Sequence, residues 1–302
     1  MAVYVNTNVS SLNGRRYLNN VQNQLTTTYQ RLSSGMRINS AKDDAAGLQI
    51  SSRLTTQING LNQGNRNAAD GIALAQTIEG AMDETTSMLQ KIRTLAVQSV
   101  NGTNTAEDRA ALKKEADALG LEIDRIATDT KYGGKTILAG GDNADTIYGD
   151  GGGDEDTGEL ILQVGANKGD TITFGVNNMT MEKFVERVAG TLNVQADTIY
   201  DGGFKMETAD EASALITAID AMIADADSQR ADLGAIQNRL ESSIRNQANV
   251  SANQADARSR IRDADFAEES ANLSQQSIIQ QAATSMLMQA NTRPQLGLSL
   301  LG

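Results

Sequence analysis

The sequence predicts a mainly α fold: an elongated helical rod with terminal coiled-coil helices and a small β-hairpin region. Three observations carry this. Apolar residues recur at alternating spacings of three and four near both ends, proline occurs once (Pro294), and the negative charge collects in the middle. At the front the rhythm runs through Leu18, Val21, Leu25, Thr28 and Leu32, then through Ala75, Ile78, Met82, Thr85, Leu89, Ile92 and Ala96. In the back half it runs through Leu215, Ile219, Met222, Ala226, Gln229, Leu233, Ile236 and Leu240. A sustained 3.5-residue period needs a partner helix along its length, because one narrow apolar stripe cannot fill a core. The chain is therefore expected to associate.

Taken in order, residues 1 to about 32 form a first helical block, and the polar run Ser33-Ser34-Gly35 with Asn39-Ser40 breaks it. Asp43-Asp44 suits the start of the next helix, where carboxylates meet the positive end of the helix dipole. Helices are expected from about Ala45 to Asn59 and from Ala68 to Val100. Asn101-Gly102-Thr103-Asn104 interrupts them, and Thr105 with Asp108 reads as a capping box. The helix that follows, through Leu112, Ala116, Leu119, Ile123 and Ile126, is expected to end near Gly133-Gly134. Strand character then appears in Glu159–Val164 and Thr171–Val176, a hairpin with a long turn, and a small helix is expected around Met181–Leu192. Helix resumes from Ala212 to about Asn249 and from about Ala252 to Ala290.

Charge divides along the chain. Residues 1–65 hold six basic and two acidic side chains, whereas residues 139–212 hold 15 acidic and four basic, against −12 for all 302 residues. Such an acidic stretch reads as a solvated surface. With no histidine and no cysteine, the usual neutral-pH base, the commonest metal ligand and every disulfide are excluded. No carboxylate pair sits in a recognisable catalytic frame, so no enzyme, cofactor, catalytic residue or metal site is expected, and no nucleic-acid partner. The start, MAVYVNTNVSSLNGRR, lacks the basic, apolar and small-residue segments of a secretory signal. No run approaches 18 apolar residues, so no membrane span is expected.

These blocks closely resemble bacterial flagellin, the subunit of the flagellar filament. At the front the resemblance lies in Asn6–Leu12, Arg31–Leu48, Gly60-Leu-Asn62, Arg66-Asn67, Asp70-Gly71, Ala75-Gln76 and Leu89–Gln98. At the back it lies in Gly234–Leu240, Ala257–Phe266, Met286–Asn291 and Leu298–Leu301, with Gln163–Asn167 and Thr171-Ile172 in the middle. It implies three parts: residues 1–40 plus 260–302 as an inner coiled-coil tube; 41–176 plus 212–259 as a rod domain with helices and hairpin, including an acidic Gly-rich loop at 139–158; and 177–211 as a short variable segment facing solvent. Inner packing falls to Leu18, Val21, Leu25, Leu32, Leu273, Ile278, Met286, Leu300 and Leu301. Gln90, Lys91, Arg93, Leu95 and Glu115 are implied in a protofilament contact that doubles as the surface seen by the host Toll-like receptor for flagellin. Lys91 stands where an Arg is common, keeping the charge but losing the planar fork.

The resemblance also implies secretion to the bacterial flagellum by the flagellar type III pathway without a cleaved signal peptide. The implied partners are further copies of the chain in a helical homopolymer, an export chaperone, the filament cap and the hook–filament junction proteins. Terminal stripes that face no core are expected to be largely disordered before assembly. Docking on neighbours then contributes about 25 cal/mol per Å² of apolar area. A hook–filament junction protein, with similar terminal helices, is one alternative. Gly140–Tyr148 followed by Gly149–Asp154 resembles calcium-binding nonapeptide repeats, with Asn143 in place of a repeat glycine. That leaves a calcium-dependent surface adhesin or a flexible acidic loop open.

Overall fold

A computed structural model of the chain describes residues 7–140, 146–148 and 157–299, with side chains as far as Thr292. Among the described residues there are six α-helices: α1 (Val9–Ser34), α2 (Ala45–Val100), α3 (Ala106–Asp129), α4 (Met181–Leu192), α5 (Ala209–Arg262) and α6 (Phe266–Ser299). Strands β1 (Lys131–Tyr132) and β2 (Lys135–Thr136) form one antiparallel pair, and β3 (Thr157–Gln163) and β4 (Thr171–Asn177) another. The mainly α fold with a small hairpin region is thus present. The contacts divide the chain into two compact units, residues 1–58 with 250–302, and residues 59–249.

The 59–249 unit owns the core. Along α2, Ala68, Ala75, Ile78, Met82, Thr85, Leu89, Ile92, Ala96 and Ser99 are all buried, and along α5 so are Ala212, Leu215, Ile219, Met222, Ala226, Gln229, Leu233, Ile236 and Leu240. Cross-links at the seam's edges fix its direction. Gln237 donates to Glu79 at 3.0 Å, Arg230 pairs with Asp83 at 3.1 Å, and Arg93 pairs with Asp220. Partners rise along α2 as they fall along α5, so the two helices run antiparallel. Gln229, a long polar residue in the α5 stripe, is buried but satisfied: it accepts from the Asn177 amide at 3.3 Å and donates to the Gly175 carbonyl at 3.1 Å. It therefore ties β4 to the seam without leaving a buried group unpaired.

The remaining elements close this core. The Thr105–Asp108 capping box forms as expected at the start of α3. That helix stops at Asp129 rather than near Gly133-Gly134, and those glycines, at φ +60° and +86°, instead make the tight turn between β1 and β2. Both turn positions require positive φ, which is why sequence places Gly at each. The β3–β4 hairpin pairs Leu160 with Phe174 and Gly158 with Val176, placing Phe174 and Val176 in the core. Segment 177–211, expected to face solvent, supplies Met179, Met181, Phe184, Val185, Val188, Ile199, Phe204 and Met206 to the core. Its acidic residues Glu182, Glu186, Asp197 and Asp201 lie on the opposite, exposed side. A charge count registers only that exposed side.

Two helix boundaries differ from expectation. Residues 45–59 and 68–100 are not separate helices but one 56-residue α2. The helix runs through Gly60 and Gly64, which allow close approach: a Cβ on Gly64 would lie 2.0 Å from the Val164 carbonyl oxygen, and one on Gly60 2.7 Å from the Ala166 Cβ. In the back half the break falls at 263–265 instead of 250–251. There the Arg262 carbonyl accepts the Arg37 and Ile38 amides, Ala264 donates to the Gly35 carbonyl, and Asp265 caps α6 by accepting from Ala267 at 2.8 Å. Long-range pairing, not a local breaker, sets the boundary.

Gly64→Ala should lower stability by roughly 1–3 kcal/mol, because its methyl group meets backbone that cannot yield. Gly80→Ala, where nothing lies within 4 Å, should raise it by roughly 0.5–1 kcal/mol. Denaturant unfolding of the full chain followed by circular dichroism checks both signs at once.

Candidate assembly interface

The terminal unit is built on a different principle. α1 begins where the Asn8 side chain accepts the Ser11 amide at 3.0 Å, and it ends at Gly35 in the left-handed region. α6 runs antiparallel beside it. Asn8 donates to the Ala290 carbonyl at 2.8 Å, the Thr28 hydroxyl donates to the Gln276 side chain at 3.2 Å, and Arg31 stands 3.9 Å from the buried Glu269. Gly14 marks the closest approach, since a Cβ there would lie 2.9 Å from Leu287 Cδ1. Yet the pair buries little. Among the described residues, only Val21, Leu25 and Thr28 of α1 and Glu269 of α6 are buried.

Most of the large apolar side chains described on α1 and α6 are exposed. Val9, Leu12, Tyr17 and Tyr29 of α1 are exposed, as are Phe266, Ile278, Ile279, Met286 and Met288 of α6. Of the residues expected to pack inside the tube, Val21 and Leu25 are buried and Leu18, Leu32 and Leu273 half-buried. Ile278 and Met286 are 66% and 69% exposed, so they do not pack within the pair. Leu300 and Leu301 lie outside the described residues. One side of the pair forms a groove of about 530 Å³ lined chiefly by Tyr17, Val21, Ile279, Ala282, Ala283 and Met286. Ala282 and Ala283 line it from α6 and Tyr17 from α1. Helices apolar on several faces must be covered by something else.

The connection between α1 and α2 is held by side-chain chemistry. Asp43 accepts from the Asn39 amide at 3.1 Å, the Ser40 amide at 2.9 Å and the Ser40 hydroxyl at 3.0 Å. These donors, the Ser40 amide foremost, hold its carboxyl below the usual 3.8. Asp44, its neighbour, caps α2 by accepting the Gly47 amide at 2.9 Å. Further along this unit, Gln254 donates to Gln57 at 3.2 Å and Arg258 to Thr55 at 3.3 Å, and Ile58 is buried.

The other expected contact set lies on α2 and α3. Gln90, Lys91 and Arg93 are exposed, Glu115 is exposed on α3, and Leu95 is half-buried against the core. Arg93 is engaged on its own chain: its guanidinium donates to both Asp220 oxygens, and that pairing raises its pKa further. Asp220 is the member of this cluster that sequence reasoning missed, because only the antiparallel register of α2 and α5 brings it near. The acidic loop bearing the repeat-like motif falls largely outside the described residues. Among the described residues, no group of three or more Asp or Glu side chains is placed to hold a metal ion, and no helix is long and apolar enough to cross a membrane.

A core-bearing helical unit joined in sequence to terminal helices with outward apolar faces is the architecture of a structural subunit. The chain belongs to the bacterial flagellin family: the flagellin N-terminal helical region matches residues 5–143 and the C-terminal helical region residues 216–301. Over the whole of both chains it is 38% identical to flagellin A of Vibrio anguillarum, 36% to flagellin A of Vibrio cholerae and 38% to polar flagellin C of Vibrio parahaemolyticus. A solved Vibrio parahaemolyticus structure described as a flagellar hook-associated protein aligns over 73% of this chain and all of its own, with a TM-score of 0.55 and 18% identity. That last likeness shows the fold alone. The chain is a structural subunit of the flagellar filament.

Asp43 also gives a pH test of the α1–α2 connection. Its folded pKa is lowered, so its stabilisation is complete above the unfolded value and is lost as pH falls through the folded one. Hydrogen exchange at the Asn39 and Ser40 amides, normalised to intrinsic rates, should stay slow at neutral pH and accelerate below the ordinary carboxylate pKa of 3.8. In Asp43→Asn the same amides should exchange without that pH step.

Proposed function

We propose that the chain polymerises through the outward faces of the α1–α6 pair, each subunit covering on its neighbours what it cannot bury itself. The observation that carries this is the exposure of Ile278 and Met286, at 66% and 69%, on a helix pair with almost no interior. A head-to-tail contact whose rotation does not close gives an open helix rather than a ring. In this reading residues 1–40 with 260–302 form the inner tube and residues 41–176 with 212–259 a rod domain. Thin internal burial is consistent with ends that gain most of their order on assembly.

The surface of Gln90, Lys91, Arg93, Leu95 and Glu115 serves as a lateral contact between protofilaments, and as the face a host Toll-like receptor for flagellin would meet on the free subunit. Its exposure supports that role, with Asp220 holding Arg93 in place. Export through the flagellar type III pathway, with a chaperone on the unassembled ends, and contacts with the cap and the hook–filament junction proteins follow from the same family reading. Swimming motility is the outcome, with the polymer transmitting torque passively.

Ile278→Glu separates assembly from folding. In the free subunit the side chain is already in water, so circular dichroism should be unchanged. Burying one isoleucine contributes about 1.5–3 kcal/mol, so the critical concentration for filament growth should rise roughly tenfold to a hundredfold. Sedimentation of polymer after seeding measures this, and unaltered growth would show that the exposed face of α6 is not an assembly surface.

A further inference from the structure

The chain has no cysteine and ten methionines, so thioethers are its only sulfur. The fold sorts them sharply. Met82, Met88, Met179, Met181, Met206 and Met222 are buried, Met36 is half-buried, and Met286 and Met288 are exposed at 69% and 65%. Oxidation of methionine follows access, and the product exchanges a flexible apolar group for a polar one. Met286 and Met288 lie two residues apart, about 200° around the helix, so they face different ways. Met286 lines the groove between α1 and α6 beside Ile279, Ala282 and Ala283, with Ser10, Asn13, Tyr17 and Gln289 as its polar lining.

We propose that Met286 is an oxidation site for peroxide-class oxidants, open in the free subunit and closed in the polymer, and that its sulfoxide blocks assembly. The inference rests on the assembly reading above. The sulfur lone pair attacks one peroxide oxygen, and the O–O bond breaks as the S–O bond forms. Water leaves with the other oxygen and both protons, while sulfur gives up two electrons to the peroxide. The new oxygen accepts hydrogen bonds from water while the groove is open. Covering the groove with a neighbouring subunit would strip that water away and bury a polar oxygen where the thioether had presented an apolar group. Leucine matches methionine in volume without offering an oxidisable sulfur.

The test treats purified full-length subunit, and separately preformed filaments, with graded hydrogen peroxide, then maps oxidation by peptide mass spectrometry and follows seeded growth. Met286 and Met288 should oxidise at least about tenfold faster than the six buried methionines in the free subunit, and Met286 should be protected by a similar factor in filaments. Growth from oxidised subunit should fall several-fold and return after treatment with methionine sulfoxide reductases. Met286→Leu should grow equally with and without peroxide, while Met288→Leu stays sensitive. Should Met286→Leu fail to grow at all, enzymatic rescue of the oxidised parent protein separates the same two outcomes. Normal growth from subunit fully oxidised at Met286, or persistent sensitivity in Met286→Leu, overturns the proposal while leaving the assembly reading intact. Untreated protein that grows no filament overturns both.

Discussion

Two helices packed side by side can bury only the residues that face between them, and everything else about this molecule follows from where that limit binds. In the 59–249 unit the limit is lifted because α3, α4 and the β3–β4 hairpin cover what the α2–α5 seam leaves open. Ile78, Met82, Leu89 and Ile92 are accordingly fully enclosed. In the terminal unit α1 and α6 carry apolar groups on several faces, with Tyr17 and Ile279 turned outward. One unit covers its own apolar faces, whereas the other leaves apolar side chains of α1 and α6 exposed.

Polar residues inside the α2–α5 seam give it a register instead of a mere stickiness. Thr85 is buried yet donates to the Ala81 carbonyl one turn back, so it narrows the seam without needing a partner across it. Gln229 does need a partner, and only β4 backbone at Gly175 and Asn177 supplies both a donor and an acceptor. A shift of α5 by one turn would leave that buried amide unpaired, a cost comparable to losing a hydrogen bond in an apolar site. Gly64 and Gly60 act similarly from the opposite side: the hairpin seats only where α2 has no side chain.

Periodic burial was legible in the sequence, and long-range chemistry was not. Every α5 residue read from the 3.5-residue rhythm, Leu215 to Leu240, is buried, because that pattern is a direct record of one face meeting a partner. The β3–β4 hairpin and α4 were legible from alternation and from a short amphipathic run. By contrast, Gly60 and Gly64 look like helix breakers until the hairpin above them is known. The break at 263–265 depends on pairing with residues more than 220 positions away, such as Arg37 with Arg262, which no local window contains. In the candidate interface, Val21 and Leu25 followed the same rhythm into burial, but Ile278 and Met286 did not. Periodicity says that a side chain seeks cover, not whether its own chain provides it.

That distinction explains the composition. A thick globular interior would call for aromatic bulk, yet only 3% of residues are aromatic. Helix surfaces that must meet several identical neighbours are better served by small and unbranched side chains, which accept more than one packing partner. Ala282, Ala283 and Ala290 line the groove beside Met286. The fold of the 59–249 unit shields Met82, Met88, Met179, Met181, Met206 and Met222, and it leaves the cover of Met286 and Met288 on α6 to something outside their own helix pair.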